Sequence, residues 1–227
     1  MIDLKGFNDK FESTRTSCDF EKYDREYNDF WQWKIATEKN GTSHILDGEH
    51  LPQTCQKLLN ILPGWKTWRG VQCKYQKLFP IALGNISTAY NEIRKYSLLE
   101  FATIPEEPLK LIWHELGRVK EEFGCRRDRG DYFVIPICKP LMFLWGQTLP
   151  FDSRNRENIK GDSLLRLEIR ILGRRWYFCE WKRVLTDFNK KLSANAELLS
   201  YCTEKAKEIY KSEYAIPYGR FLDIYYF

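Results

Sequence analysis

The chain has no run approaching the eighteen or so consecutive apolar residues that a bilayer-spanning helix needs, and its opening stretch, MIDLKGFNDKFES, has no apolar core of a secretory leader. Neither a membrane partner nor export is expected, and the expected location is the cytoplasm. Histidine is scarce. Of the three, His44 and His50 share the polar stretch GTSHILDGEH with Asp47 and Glu49, and His114 precedes Glu115. Neither group has the HExxH or paired spacing of a zinc hydrolase. The seven cysteines (Cys18, Cys55, Cys73, Cys125, Cys138, Cys179 and Cys202) include no CxxC pair, so reduced, mostly buried thiols are expected rather than a zinc site or a disulfide framework. A glycine-rich phosphate loop and a G-x-S-x-G elbow are also missing. No metal and no cofactor are therefore expected.

What the sequence has in excess is aromatic surface. Eight Trp, thirteen Tyr and fourteen Phe stand among 227 residues, side chains that fill a core or offer flat faces to a base. The net charge is +5, and it is concentrated: residues 118 to 183 hold fifteen Lys and Arg against nine Asp and Glu. Eleven of the fifteen are Arg, whose planar fork suits bidentate phosphate contacts. A polyanion partner and a solvated, salt-bridged surface both fit that pattern.

Apolar spacing is mostly helical. Phe20, Tyr23, Tyr27, Phe30 and Trp31 share one face of a helix that Asn40-Gly41 ends. A second stripe follows Pro52 and stops at Pro63-Gly64. A third helix is predicted from near Ser87 to about Phe101, and a fourth carries Leu109, Ile112, Leu116, Val119 and Phe123. Then come a basic turn, CRRDRGD, and a short buried helix read as Lys139 to Trp145, with Pro140 in its first turn and Gly146 just past its end. The next helix opens at Asp152-Ser153. LRLEIRI (165–171) alternates like a strand, the positions from Trp176 to Phe188 read as helix, and the tail IPYGRFLDIYYF is too apolar to hang free. The expected fold class is all-α, with eight to eleven helices.

The segment 131–160 concentrates the groups that could do chemistry. An Asp at a helix N-cap accepts backbone N–H bonds, which favour the charged carboxylate. A Lys against an apolar wall loses its proton more readily and becomes a nucleophile. Asp152 also reads as an ordinary N-cap and Lys139 as a lysine with its stem laid along apolar surface. Trp65, Trp68, Trp145 and Phe151 read either as core or as the walls of a base pocket.

Here the chain resembles the helix-hairpin-helix DNA glycosylase superfamily. In that superfamily the lysine of bifunctional members opens a buried helix, and an apolar-Asp-Thr/Ser element starts the next one. Lys139-Pro140 stands in the lysine position, and Phe151-Asp152-Ser153 matches the Asp element. The resemblance covers roughly residues 105 to 160. It implies a two-lobed helical fold with a cleft, a middle lobe at about 45–148 and a second lobe of 1–44 plus 149–227. It further implies a monomeric DNA N-glycosylase on duplex DNA that flips out and excises a damaged or modified base, for instance a bulky phage-type one, with or without AP-lyase activity. Asp152 and Lys139 would be catalytic, with Arg126, Arg127, Arg154, Arg156 and Lys160 on phosphates. The iron–sulfur cysteine cluster of some members has no counterpart, since only Cys179 and Cys202 follow Asp152. The reading from another class is a non-catalytic helical module that binds nucleic acid or protein.

Overall fold

Helix α1 (Leu4–Arg15) puts only two apolar rings, Phe7 and Phe11, on its buried face, one turn apart. α2 (Cys18–Glu38) buries the predicted stripe of Phe20, Tyr27, Phe30 and Trp31, and Gly41 just beyond it takes a left-handed φ of 69°. α3 (Leu51–Ile61), α4 (Tyr75–Asn85), α5 (Ser87–Ile93), a 3-10 turn (Leu98–Thr103) and α6 (Glu106–Glu121) follow. A strand β1 (Asp131–Phe133) leads into α7 (Val134–Trp145), then α8 (Ser153–Gly161), strand β2 (Arg175–Tyr177), α9 (Phe178–Ser193), α10 (Ala196–Tyr210) and α11 (Tyr218–Tyr226). This computed structural model describes residues 4–68, 75–121, 131–161, 174–212 and 215–227.

Among the described residues the fold is all-α apart from one two-stranded antiparallel ribbon, in which Asp131 pairs with Tyr177, Tyr132 with Trp176 and Phe133 with Arg175. Trp176, read as helical from its spacing, lies in β2, and α9 starts only at Phe178. The third helix is shorter than predicted. It breaks after Ile93, and Ser97 opens the 3-10 turn through a reciprocal bond with Glu100. LRLEIRI lies outside the described residues, and among those residues no helix is long and apolar enough to cross a membrane.

α7 packs against α2 and α6. Its sequence VIPICKPLMFLW is buried almost throughout, so its period is invisible: with every face covered, no polar stripe marks the turns. The helix begins five residues earlier than expected, at Val134. Lys139 therefore sits in its interior rather than at its head, and Pro140 is an internal proline. Its end is as predicted, at Gly146 with φ 76°, where a Cβ would collide with the Trp31 ring.

The aromatic tail docks on the body. α11 packs on α1 and α8, stacking Tyr225 on Phe7 at 4.5 Å and Phe221 on Phe11 at 5.4 Å. Its first turn reaches the segment that leads to Asp152: the Gly219 N–H donates to the Gly146 carbonyl at 2.8 Å, and a side chain at Gly219 would overlap the Thr148 backbone. One continuous apolar core joins the helices from Phe7 to Tyr226.

Candidate functional site

Asp152 immediately precedes α8. Its Oδ1 accepts the Asn155 N–H at 3.1 Å and its carbonyl accepts the Arg156 N–H at 3.1 Å, so it caps the helix as its residue type suggests. The preceding Phe151 is fully buried against Trp176, ring centroids 4.9 Å apart, with a left-handed φ of 49°. A bulky residue takes that conformation only where its surroundings over-determine it.

Across from this turn, the Lys139 ammonium lies 4.0 Å from Asp152 Oδ2 and donates to the carbonyl of Trp65. The lysine side chain is 8% exposed and the Asp152 side chain 25%, so the pair opens to solvent on the carboxylate side. Burial pushes the Lys139 ammonium below the usual lysine range, and the nearby Lys66 pushes the same way, while Asp152 and Asp223 oppose the fall. Lys66 is exposed and follows Trp65 in a tight turn with φ 56°. Two of the three left-handed non-glycine residues among those described, Lys66 and Phe151, thus adjoin the residues that hold the Lys139–Asp152 pair.

Behind the pair lies a buried ionic network that the linear reading missed. The guanidinium of Arg220, in α11, is fully buried among the rings of Phe20, Tyr27 and Trp65. It pairs with Asp223 and, at 3.2 Å, with Asp24, whose other oxygen takes Arg15 Nε at 3.0 Å. Asp223 also accepts the side-chain amide of Asn155 at 3.2 Å. Burial pushes the Asp223 carboxyl up, Asp152 adds to the rise, and Arg220 opposes it. The signal that could have found this network was in the tail: a charged pair spaced i, i+3 inside the apolar stretch YGRFLDIYYF.

The other predicted residues scatter. Arg154 and Lys160 are exposed on α8, Arg154 resting over the Phe227 ring at 4.4 Å. Arg156 turns inward and donates to the Phe151 carbonyl at 3.1 Å, holding the strained turn in place. Arg126 and Arg127 lie outside the described residues. Trp65 is buried edge-on to Phe143 and hydrogen-bonds Glu26 through its indole N–H at 2.8 Å. Trp68 stacks on Tyr75 at 4.4 Å, and Trp145 donates to the Tyr96 carbonyl at 2.9 Å. All three indoles are therefore engaged in the core. Among the described residues no group of His, Cys, Asp and Glu could hold a metal.

The structure thus brings together Lys139, Asp152, Trp65 and Phe151. Comparison with protein-family models, with curated proteins and with solved structures finds no match for this chain.

The exposed arginine on α8 and the buried one separate two roles. If this face meets a nucleic acid, Arg154→Ala lowers the slope of log K against log salt by about one unit, as for a single phosphate contact on duplex DNA. Arg156→Ala leaves the slope unchanged and lowers Tm, because its guanidinium serves the Phe151 carbonyl. Salt titrations of binding and thermal melts of both variants check this, and equal slope changes would overturn the division of roles.

Proposed function

We propose that the protein is a DNA N-glycosylase with an associated lyase step, acting through Lys139 and Asp152. The observation that carries the reading is the pair itself: one lysine in an otherwise apolar helix, its ammonium 4.0 Å from a capped and partly exposed carboxylate thirteen residues later. Burial favours the neutral amine at Lys139, and neutral amines attack carbon. In the proposed reaction the C1′–N bond of a flipped nucleotide breaks and its electron pair leaves with the base. The Lys139 lone pair forms a new bond to C1′, and the proton it releases passes to Asp152. The Asp152 charge also stabilises the oxocarbenium-like sugar on the way. Asp152 returns that proton to the ring oxygen as the C1′–O4′ bond opens, which leaves a protonated imine between Lys139 and C1′. In the lyase step a C2′ proton passes to Asp152, the C3′–O bond breaks and the 3′ phosphate leaves with its electron pair. Lys139 must first give up the Trp65 carbonyl, so access involves the turn at Pro63–Trp68. The basic segment and the exposed Arg154 and Lys160 support a DNA partner.

Asp152→Asn tests the reading. Asn still caps α8, so fold and DNA affinity hold, whereas base release falls by about two to four orders of magnitude because the charge facing the sugar is gone. The measurement is released base and abasic sites from DNAs carrying different base modifications. Undiminished turnover in the variant would remove Asp152 from the chemistry.

The second reading is a non-catalytic helical binding module. It is favoured by the bonds the pair already makes, Lys139 to Trp65 and Asp152 to Asn155, which are those of a structural ion pair. DNA binding without base release from any modified substrate would support it.

A further inference from the structure

We propose that Asp223 and Asn155 form a positioning relay for the Lys139–Asp152 couple, Asp223 fixing the Asn155 amide and Asn155 fixing the Asp152 carboxylate opposite the lysine. The inference deepens the glycosylase reading and rests on it for its catalytic meaning.

Asn155 bridges two carboxylates with two different groups. Its backbone N–H, at 3.1 Å, holds Asp152, and its side-chain amide, at 3.2 Å, holds Asp223. Capping uses only the backbone group, so helix formation alone does not require an asparagine here. Asn155 and Asp223 are 0% and 2% exposed, and Asp223 is locked in turn to Arg220. Such a chain is expensive to bury, and apolar residues of the same volume would stabilise the core at least as well. What apolar residues cannot supply is a polar tie from α11 to the first turn of α8, which fixes where the Asn155 N–H and the carboxylate on it lie.

Three charged groups bear on the Lys139 ammonium: Asp152 from the turn before α8, Asp223 from α11 and Lys66 from the turn after α3. Arg220 and Asp24 lie behind Asp223. Asp223 thus acts on the couple twice, through Asn155 and through its own charge.

The test uses the full chain with 13Cε-labelled lysine, the Lys139 signal being the one missing from Lys139→Met. Its pH midpoint is read in the wild type, in Asp223→Asn and in Asn155→Ala. Asp223→Asn moves the midpoint down by about one pH unit, because an opposing carboxylate is gone. Asn155→Ala keeps every charge and the backbone N–H that binds Asp152, and also lowers the midpoint, because the amide tie to Asp223 that fixes where that N–H and the bound carboxylate lie is gone. Base release falls about tenfold or more in both, in kcat rather than KM. An unchanged midpoint in both folded variants overturns the relay, even if activity drops. If Asp223→Asn does not fold, Asn155→Ala decides alone, and its own failure to fold overturns the relay in favour of a purely structural role. Shifted midpoints in a protein that releases no base from any DNA leave the relay standing and refute the glycosylase reading.

Discussion

Borohydride added to the wild-type protein on substrate DNA is expected to trap a covalent adduct that survives a denaturing gel, and Lys139→Met to give none. Hydride adds to the imine carbon and converts a reversible link between the lysine nitrogen and C1′ into a stable amine. In this variant base release falls by about a hundredfold or more, the usual scale for losing a positioned nucleophile or base. The fold should survive. Met has nearly the volume and stem of Lys, and the neighbours in α7 are apolar. The carboxylate left behind is a quarter exposed, so water can solvate it. Below the ordinary lysine pKa, burial of Lys139 in fact opposes folding. Its folded-state pKa is depressed, so the stability linked to it is complete only above the unfolded value and diminishes as pH falls toward the folded one. The check pairs the gel with a thermal melt: loss of the adduct with Tm within a few degrees supports a site that costs stability. An adduct that persists in Lys139→Met means that another lysine reacts. Strand-intact abasic DNA with no adduct, from the wild type, hands the chemistry to water activated by Asp152.

The largest expected loss of stability lies behind that pair. Arg220→Met removes the guanidinium that joins Asp24 to Asp223, and Asp223, 2% exposed, is too buried for solvent to replace it. Breaking a buried pair from one side costs about 3 to 5 kcal/mol, on the order of 10 °C in Tm for a chain of this size. Protonation of Asp223 limits the damage. Burial already pushes its carboxyl up, and the loss of Arg220 lets it rise further. The deficit in the variant therefore grows as pH rises and shrinks as pH falls, because a folded-state pKa above the unfolded one gives stability that is complete at low pH and lost on the way up. Chemical denaturation at several pH values checks both the size and the sign. A loss below about 1 kcal/mol would show that the rings around the guanidinium, rather than the ion pairs, hold α11 in place.

How much of this was legible in the sequence depended on whether each element carries its own signal. α6 did, because Leu109, Ile112, Leu116 and Val119 recur every three or four residues with charges between them. α2 and α9 follow the same rule. α4 did not, because YQKLFPIALGN has an internal Pro80 and no polar face to mark the period. α1 was silent for the opposite reason, since two rings in twelve residues make no stripe. The ribbon pairs three-residue strands separated by more than forty positions, so no local pattern announces it. In the site, Asp152 was readable because capping is local chemistry. Lys139 was readable as an isolated charge, though its place within α7 was not. Asn155 and Asp223, 68 positions apart, meet only through the docking of α11. Long-range polar partners of this kind leave no spacing to find, only the oddity of charges in an aromatic tail.

The contact of Gly219 with the Gly146–Thr148 turn also orders events during synthesis. The ribosome delivers Lys139 and Asp152 well before α11, and until α11 emerges Asp24 lacks Arg220, and Asn155 has no carboxylate for its amide. A nascent chain halted before Tyr218 carries Lys139 and Asp152 without the buried network behind them. The framework therefore closes only once α11 has been made, and a product ending before it is a body with an uncovered aromatic seam along α1 and α8.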